Sequence, residues 1–508
     1  MVDVDDPRQT LAAAALASGR LALARSFRLH RPRGAFCHAG WCQQCQLVLP
    51  DGVRALACQI PSMGWVPQMP RDPRRSVGWI AEYLPPWFWE RHQLRPEAWR
   101  QLCLEVMRRL SSALPLPPKS TAAASGAWTR ERCDTLVVGG GRAGLIAARR
   151  LAELGQKVVL LEAERFGGVA RFLPEDSGKV EELKAAAHRA GAVLQENTVC
   201  LGLYDGATIA LALAPKGPQM IELSALVVAA GAYDRLPAFL GNDLPGIIGG
   251  RAFLRLAGAG VFTGRNRIGL YSDAASAPRL VATAAARGIK LNWIAGPGAL
   301  PVTASPTYPN ARLRRACGRG RITALEIAPG GRLACELLIM SLSQPAYELQ
   351  MQAGRRAVLA GDPPCVRTIG PALLPLLEVG EADGTAGGSD FAQRVEAALT
   401  AWIADPQETA GMILDPPRLD EPDPRSILCH CEDVRVADCT GAIKDGFADI
   451  ELLKRHTGAG TGPCQGKLCH PDLMACLARA ARSPALPTQR PLLRPVRLDQ
   501  LAGADDGA

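Results

Sequence analysis

An α/β fold is what this sequence predicts, on three observations. The run Asp134–Glu162, DTLVVGGGRAGLIAARRLAELGQKVVLLE, reads as strand, glycine turn, helix, strand and acid in register. Four cysteines, Cys37, Cys42, Cys45 and Cys58, gather near the start of the chain. Four more, Cys429, Cys431, Cys464 and Cys469, gather near its end, so that half of the 16 cysteines flank one nucleotide-type core.

The core comes first because its signal is the most complete. A strand at Thr135–Val138 runs into Gly139-x-Gly141-x-x-Gly144, and a second strand at Lys157–Leu161 ends in Glu162. Gly139 permits the tight turn, Gly141 lets the backbone approach a pyrophosphate, and Gly144 lets helix and strand pack closely. The helix N-terminus offers free N–H groups and the positive end of its dipole to phosphates. Glu162 stands at the ribose-binding position, where a carboxylate accepts from hydroxyls and disfavours a 2′-phosphate. The fingerprint alone does not choose between FAD and NAD. Two later segments favour FAD. ALVVAAGAYDRLPAF (Ala225–Phe239) is a strand ending in Ala230-Gly231, and it resembles the ATG-type segment of two-dinucleotide flavoproteins. VGEADGTAGG (Val379–Gly388) resembles their final flavin segment, where an acid after glycine holds the ribityl chain; here the pair is Gly380 and Glu381, in place of the usual Asp.

A second nucleotide lobe is expected near Ile268–Gly296. IGLYSDAASAPRLVATAAARGIKLNWIAG has the strand–helix–strand outline without the glycines. Ser272-Asp273 and Ala275-Ser276-Ala277 stand where GxGxxG would be, and the second strand ends without an acid or arginine. The residues favour a Rossmann-like lobe that no longer binds NAD(P).

Cys37, Cys42 and Cys45 have the C-x4-C-x2-C spacing of plant-type [2Fe–2S] ferredoxins. The stretch QLVLPDGVRALAC reads as strand, Asp-Gly turn, strand, returning Cys58 to the loop as the fourth ligand. Gly34 and Gly40 suit a loop curled around a cluster, with N–H groups turned toward sulfur. A structural zinc site or four unpaired thiols are the other readings. At the far end, Cys429-His430-Cys431 leads into a stretch of helical periodicity over Glu432–Arg455, with Gly446 between two short helices. The glycine-rich GAGTG then opens the loop bearing Cys464 and Cys469. This fits a second compact [2Fe–2S] site, with zinc as the alternative. His430 and His470 read as bystanders. The other cysteines, Cys103, Cys133, Cys200, Cys317, Cys335, Cys365, Cys439 and Cys476, read as small hydrophobes.

Composition sets the bounds. A chain of 508 residues holds about three domains at ~100–200 residues each. The net charge of +9 carries no block of like charge, so a nucleic-acid arm is not expected, and RDPRR (Arg71–Arg75) and ARLRR (Ala311–Arg315) read as solvated surface or partner contacts. No run of ~18 apolar residues spans a membrane. The acidic start MVDVDDPRQT lacks the basic region of a signal peptide. A cytoplasmic chain is therefore expected, where thiols stay reduced and clustered cysteines bind metal.

With these residues in hand, the C-terminal pattern resembles the bacterioferritin-associated-ferredoxin-like [2Fe–2S] domain, in the version with x4 between the second pair. The whole order resembles the alpha/A subunits of heteromeric sarcosine oxidase, opine oxidase, hydroproline dehydrogenase and hydrogen cyanide synthase. ARSFRLHRPRG (Ala24–Gly34), VVGGGRAGL (Val137–Leu145) and AAGAYDRLPAFLGNDLPGI (Ala229–Ile247) carry that likeness, which covers about residues 8–480. There are two departures. The sarcosine oxidase alpha chain is about twice as long, and it looks to lack the cluster cysteines. The closer likeness is thus to a fused version of the other three. The resemblance implies non-covalent FAD, two [2Fe–2S] clusters and a smaller flavoprotein partner that oxidises an amine or amino acid.

The expected organisation has five parts. Residues 1–105 form a β-grasp ferredoxin-like domain with a helical extension, and 106–129 form a linker. Residues 130–415 form a two-dinucleotide, Rossmann-type FAD domain with an NAD-like lobe inserted at about 248–350. Residues 425–485 form a small helical cluster domain, and 486–508 a tail. The leading function is an electron-transferring subunit of an amine or amino-acid dehydrogenase or oxidase that passes electrons to a quinone or another redox protein. A self-contained NAD(P)H-dependent reductase and an assembly protein with structural cofactors are the other two. No constellation for catalysis on a substrate stands out.

Overall fold

A computed structural model of the chain describes residues 10–26, 28–49, 54–62, 127–173, 176–362, 364–380, 390–405, 415, 417–480, 482 and 486–501. Several expectations lie outside them: the helical extension near residues 85–110, most of the linker, the Asp51-Gly52 turn, Cys103, Arg71–Arg75 and Glu381. The chain forms two compact units, one of residues 1–119, 234–342 and 418–486, the other of 120–233, 343–417 and 487–508.

The second unit is built on a sheet with the doubly wound arrangement. Its parallel strands run, in spatial order, Val193–Gln195, Val158–Leu161, Thr129–Val138 and Gly217–Val228. The last of these is long enough for two partners. Its first half pairs antiparallel with Ile209–Ala214, and Leu226–Val228 pair parallel with Leu376–Glu378. Val158–Leu161 is buried at every position, as a central parallel strand covered on both faces must be.

The helix Arg142–Glu153 packs on this sheet through Ala143, Gly144, Leu145, Ile146, Ala147, Ala148, Leu151 and Ala152. Small residues on that face let helix and strands approach. The helix stops because Gly155 turns left-handed at φ 81°, with its N–H on the Ala152 carbonyl at 2.9 Å. A second helix, Phe391–Ala404, joins the same core through Phe391, Val395, Leu399 and Trp402.

The first unit has three constituents. The N-terminal segment folds helix Leu11–Ala17, capped by Thr10, and two short antiparallel pairs, Ala24–Arg25 with Pro32–Arg33 and Gln46–Val48 with Arg54–Leu56. The second pair is the hairpin expected to return Cys58 to the loop. The middle segment is the Rossmann-like lobe. Strand Leu337–Pro345 lies between Ile247–Gly249 and Ile268–Ser272, and Leu291–Ala295 and Thr307–Tyr308 follow, all parallel. A three-stranded antiparallel sheet, Arg312–Gly318, Ile322–Ala328 and Gly331–Ala334, extends it. The C-terminal segment is a short hairpin, Ile427–Cys429 with Val434–Arg435, followed by helices Val436–Lys444, Ile450–Thr457 and His470–Arg479. Gly446 does separate the first two helices, at φ 97°.

Candidate functional site

The glycine turn forms a cradle within the second unit. Gly139 has φ 108°, and a Cβ there would stand 2.3 Å from the Ala229 carbonyl oxygen. At Gly144 a Cβ would stand 1.8 Å from the Gly139 carbonyl oxygen, so a helix residue with any side chain would force the turn apart. Gly141, the N-cap residue, faces the opposite situation: nothing lies within 4 Å of its would-be Cβ, and no side chain caps the helix. Crowding at two glycines and open space at the third make a surface that admits a phosphate-sized group against free N–H donors.

Three other segments border this cradle. Glu162 Oε2 accepts from the Gly140 N–H at 2.7 Å, and Oε1 from the Glu164 N–H at 2.8 Å. Burial pushes the Glu162 carboxyl up, against the two N–H groups that favour its charged form. Ala229 extends the sheet by donating to Val138 O at 2.8 Å, which places exposed Ala230 and half-buried Gly231 just beyond the strand. Gly231 has φ 72° and accepts from the Ala346 N–H at 3.0 Å. Val379 donates to Val228 O at 3.1 Å, and Gly380 follows at the helix N-terminus, where a Cβ would meet Ala143 Cβ at 2.8 Å. The sequence-predicted residues Gly139, Gly141, Gly144, Glu162, Ala230, Gly231 and Gly380 thus gather at the C-terminal ends of neighbouring strands and the start of one helix. Their chemistry fits a dinucleotide.

The cysteines lie in the first unit, and all eight of the expected ligands are buried free thiols. Among the described residues no three His, Cys, Asp or Glu side chains close on one ion-sized point. In the N-terminal group the thiols form a chain of close contacts. Cys37 is in hydrogen-bonding range of Cys42 and Cys58, and Cys58 also of Cys45. Cys37 Sγ further accepts from the Ala39 and Cys42 N–H groups, each at 3.4 Å. Burial would raise the Cys37 thiol, but these thiol and backbone donors hold it well below the usual thiol range. The loop achieves this by curling through left-handed His38, Gly40 and Gln43.

In the C-terminal group Cys429 pairs with Cys469, and Cys431 with Cys464. Donation from Cys431, together with the Leu468 and Gly466 N–H groups and the Lys467 charge, brings the Cys464 thiol to about 7 against its burial. Cys429 is lowered by Cys469 and by the N–H groups of Gly460 and Glu432. The glycine-rich loop is sterically required, since a Cβ at Gly462 would stand 2.3 Å from Cys431 Cβ. Within each group burial and sharing of protons raise some thiols, Cys42 and Cys58 in one and Cys431 and Cys469 in the other, while their partners Cys37, Cys429 and Cys464 are lowered. Buried thiols held close together, with N–H groups turned to sulfur, are the donor chemistry that iron–sulfur ligation needs.

The neighbouring histidines turn elsewhere. His430 has its Nε2 3.4 Å from Asn242 Nδ2, and burial lowers its basicity. His470 starts the last helix against Gly466 and Gly460, and burial lowers it to about 3.

Sequence reasoning missed the junction between the two groups. Asp433 is fully enclosed and accepts from the N–H of Arg28 at 2.8 Å, the N–H of Leu29 at 2.9 Å and Arg31 Nε at 2.9 Å. Arg33 donates to the carbonyls of His430 and Cys431, at 2.5 and 2.9 Å. Gln44 Nε2 reaches Cys42 O at 3.1 Å and Cys431 Sγ at 3.7 Å. The only sequence signal was the basic run Arg28–Arg33, whose partners lie some 400 residues away.

In the nucleotide-like lobe, the helix Ala277–Ala286 starts beneath a carboxylate. Asp273 Oδ1 accepts from the Ser276 N–H at 2.7 Å, and the Asp273 carbonyl from the Ala277 N–H at 3.1 Å. A carboxylate of the chain's own thus already takes an N–H at this helix start.

Comparison with known proteins agrees with this arrangement. Residues 6–63 match the 2Fe-2S iron-sulfur cluster binding domain family, 137–193 the NAD(P)-binding Rossmann-like domain family, and 423–504 the sarcosine oxidase A3 domain family. The alpha subunit of sarcosine oxidase from Rhizobium meliloti is 27% identical over 567 aligned positions, covering 98% of this chain and 56% of that protein. The opine oxidase A subunit of the same organism is 31% identical over 80 positions, 15% of this chain and 18% of its own length. The chain therefore spans about half of the longer relative, and its likeness to the other is local. Among solved structures, L-proline dehydrogenase from P. horikoshii shares the fold, with a TM-score of 0.68 at 16% identity, over 97% of this chain and 94% of that one. With ferredoxin-type, Rossmann-type and A3 segments in this order, the chain is similar along almost its whole length to the alpha subunit of sarcosine oxidase, and locally to the A subunit of opine oxidase.

Proposed function

We propose that the chain is the electron-transferring subunit of a heteromeric amine or amino-acid dehydrogenase or oxidase of the sarcosine, opine, hydroproline or glycine type. The observation that carries this reading is the packing of two buried four-thiol groups within one compact unit. Isolated structural metal sites have no need to adjoin; redox centres that exchange electrons do. In the C-terminal group the thiols stand as two pairs, which suits a two-iron cluster better than a single zinc, which draws four ligands to one point. Cys37, Cys42, Cys45 and Cys58 would hold one [2Fe–2S] cluster, and Cys429, Cys431, Cys464 and Cys469 the other.

FAD is the dinucleotide for the glycine cradle. The Gly139–Gly144 turn would take its pyrophosphate, Glu162 its adenosine ribose, and Ala230, Gly231, Gly380 and Glu381 would border its remainder. When bound, FAD links two-electron hydride chemistry to the one-electron chemistry of clusters. The chain's own residues bind and orient the groups, and the buried cysteine loops exclude water from them. Substrate chemistry belongs to a smaller FAD-dependent partner, and the final acceptor is a quinone or another redox protein. All described cysteines are free thiols, in keeping with a reducing, cytoplasmic location, and among the described residues no helix is long and apolar enough to cross a membrane.

An NAD(P)H-dependent reductase is the second reading. Asp273 at the lobe's helix start weighs against it. Capture of the natively expressed chain under anaerobic conditions tests the proposal. A second flavoprotein and four irons with one FAD per chain are expected, and a complex with neither a second flavoprotein nor iron in the C-terminal group overturns it.

A further inference from the structure

The two cysteine groups are joined by one side chain. Gln44 lies between Cys42 and Cys45 in sequence and is 5% exposed. Its amide nitrogen is 3.1 Å from the Cys42 carbonyl oxygen and 3.7 Å from Cys431 Sγ. The Cys42 carbonyl can only accept, so the NH2 end must face it, and the same NH2 then lies against Cys431 Sγ. One NH2 group thus touches the backbone of a ligand in the N-terminal group and the sulfur of a ligand in the C-terminal group.

We propose that Gln44 is the residue through which the two cysteine-held centres are coupled, and that its N–H on Cys431 Sγ sets the potential of the C-terminal centre. This rests on the reading of both groups as [2Fe–2S] ligands. Hydrogen bonds to ligand sulfur favour the reduced, more negative state and so raise a cluster's potential. Burial strengthens the effect, because the amide acts in a water-poor interior. The step served is a one-electron exchange: one centre loses an electron, the other gains it, and no bond or proton changes place. The electrons come from a reduced flavin. Electronic coupling falls with the length of the path between centres, and the Cys42–Gln44–Cys431 path crosses from one ligand set to the other through two hydrogen bonds.

The rest of the junction holds that path in register without touching sulfur. Asp433 receives the N–H groups of Arg28 and Leu29, and Arg33 ties down the carbonyls of His430 and Cys431. Gln44 is therefore a positioning and tuning residue.

The test uses the full chain with Gln44→Leu and Gln44→Glu, each assayed for iron and acid-labile sulfide and then titrated potentiometrically with paramagnetic detection. Both variants should keep wild-type iron and sulfide. In Gln44→Leu the one-electron equilibrium of the C-terminal centre should shift toward the oxidised form severalfold, up to tenfold (~59 mV). The N-terminal centre should move less, and magnetic interaction between the two reduced centres should weaken. Gln44→Glu should shift the C-terminal centre further in the same direction, because it removes the donor and adds negative charge. An unchanged C-terminal potential in both variants overturns the proposal. So does iron loss in both, which would make the residue purely structural. Wild-type chain with two irons and stoichiometric zinc would instead sink the two-cluster reading on which the proposal stands.

Discussion

The backbone N–H of Arg28 donates to Asp433 Oδ2 at 2.8 Å, across 405 positions of sequence. With Leu29 and Arg31 on the same carboxylate, one fully buried side chain anchors the N-terminal cysteine segment to the C-terminal one. The Arg31 and Arg33 charges and these donors hold the Asp433 carboxyl far below the usual range against a large burial penalty. A buried carboxylate this well satisfied becomes a liability only when one partner is removed.

Asp433→Ala should therefore destabilise the first unit strongly. It leaves the Arg31 guanidinium buried without its main partner and strands two backbone N–H groups. Breaking a buried pair in this way costs about 3–5 kcal/mol. Chemical denaturation should show the midpoint falling well below wild type. Asp423→Ala, which removes a pair with the exposed Arg425, should change it far less, since solvent screens such a pair. Equal small effects for the two substitutions would mean that the junction does not hold the unit together.

The cysteine groups predict a separable inventory. The chain should release four irons, four acid-labile sulfides and one FAD. Cys45→Ser should remove only the N-terminal [2Fe–2S] signal and Cys464→Ser only the C-terminal one, because each set closes on its own loop. Optical and paramagnetic spectra with metal analysis check this. Loss of both signals from either substitution would show that the two sets assemble as one.

Much of this was legible in the sequence, for a physical reason. A phosphate cradle needs Gly139 and Gly144 because of contacts within a few residues or one adjacent strand, and cysteine loops need fixed local spacing. Such constraints leave short-range patterns. Val158–Leu161 and the hairpin Gln46–Val48/Arg54–Leu56 are legible for the same reason. The Asp433 and Gln44 junctions are not, because their partners are chosen by tertiary packing and no local rule marks an Asp or Gln for such a role. The lobe shows the limit from the other side. Its missing glycines were visible, but the carboxylate of Asp273 on the helix start required coordinates.

The glycine cradle is tested by two substitutions with opposite causes. Gly141→Asp should abolish flavin binding while leaving the fold intact, since open space receives the side chain but its charge meets the pyrophosphate. Gly144→Ala should destabilise the second unit by about 1–3 kcal/mol or more, since its Cβ overlaps the Gly139 carbonyl. Flavin content and thermal unfolding separate the two. A Gly141→Asp chain with full flavin would remove the cradle from the site.

NADH and NADPH should reduce the isolated chain slowly or not at all. The lobe lacks the glycines for a pyrophosphate, and the Asp273 carboxylate already accepts from the Ser276 N–H at its helix start. Stopped-flow bleaching of the flavin measures this. Fast stoichiometric reduction by either nucleotide would promote the reductase reading to first place.

The last prediction concerns the partner. On the proposed function the two cysteine groups and the glycine cradle serve electron transfer, and among the described residues no set for amine chemistry accompanies them. The purified chain alone should not oxidise sarcosine, proline isomers, glycine or opines. Combined with the proposed smaller flavoprotein, one such compound should reduce FAD and both clusters, with an artificial dye or quinone accepting the electrons. The arrangement has a physical rationale. On that reading, adjoining carriers would draw electrons away from a substrate flavin before oxygen intercepts them, and Gln44, whose amide nitrogen lies 3.1 Å from Cys42 O and 3.7 Å from Cys431 Sγ, would keep one such transfer short. The measurement is anaerobic substrate reduction followed at flavin and cluster wavelengths, with and without the partner. Rapid amine oxidation by this chain alone would refute the subunit reading, because the chemistry would then need a site that neither cysteine group nor the glycine cradle provides.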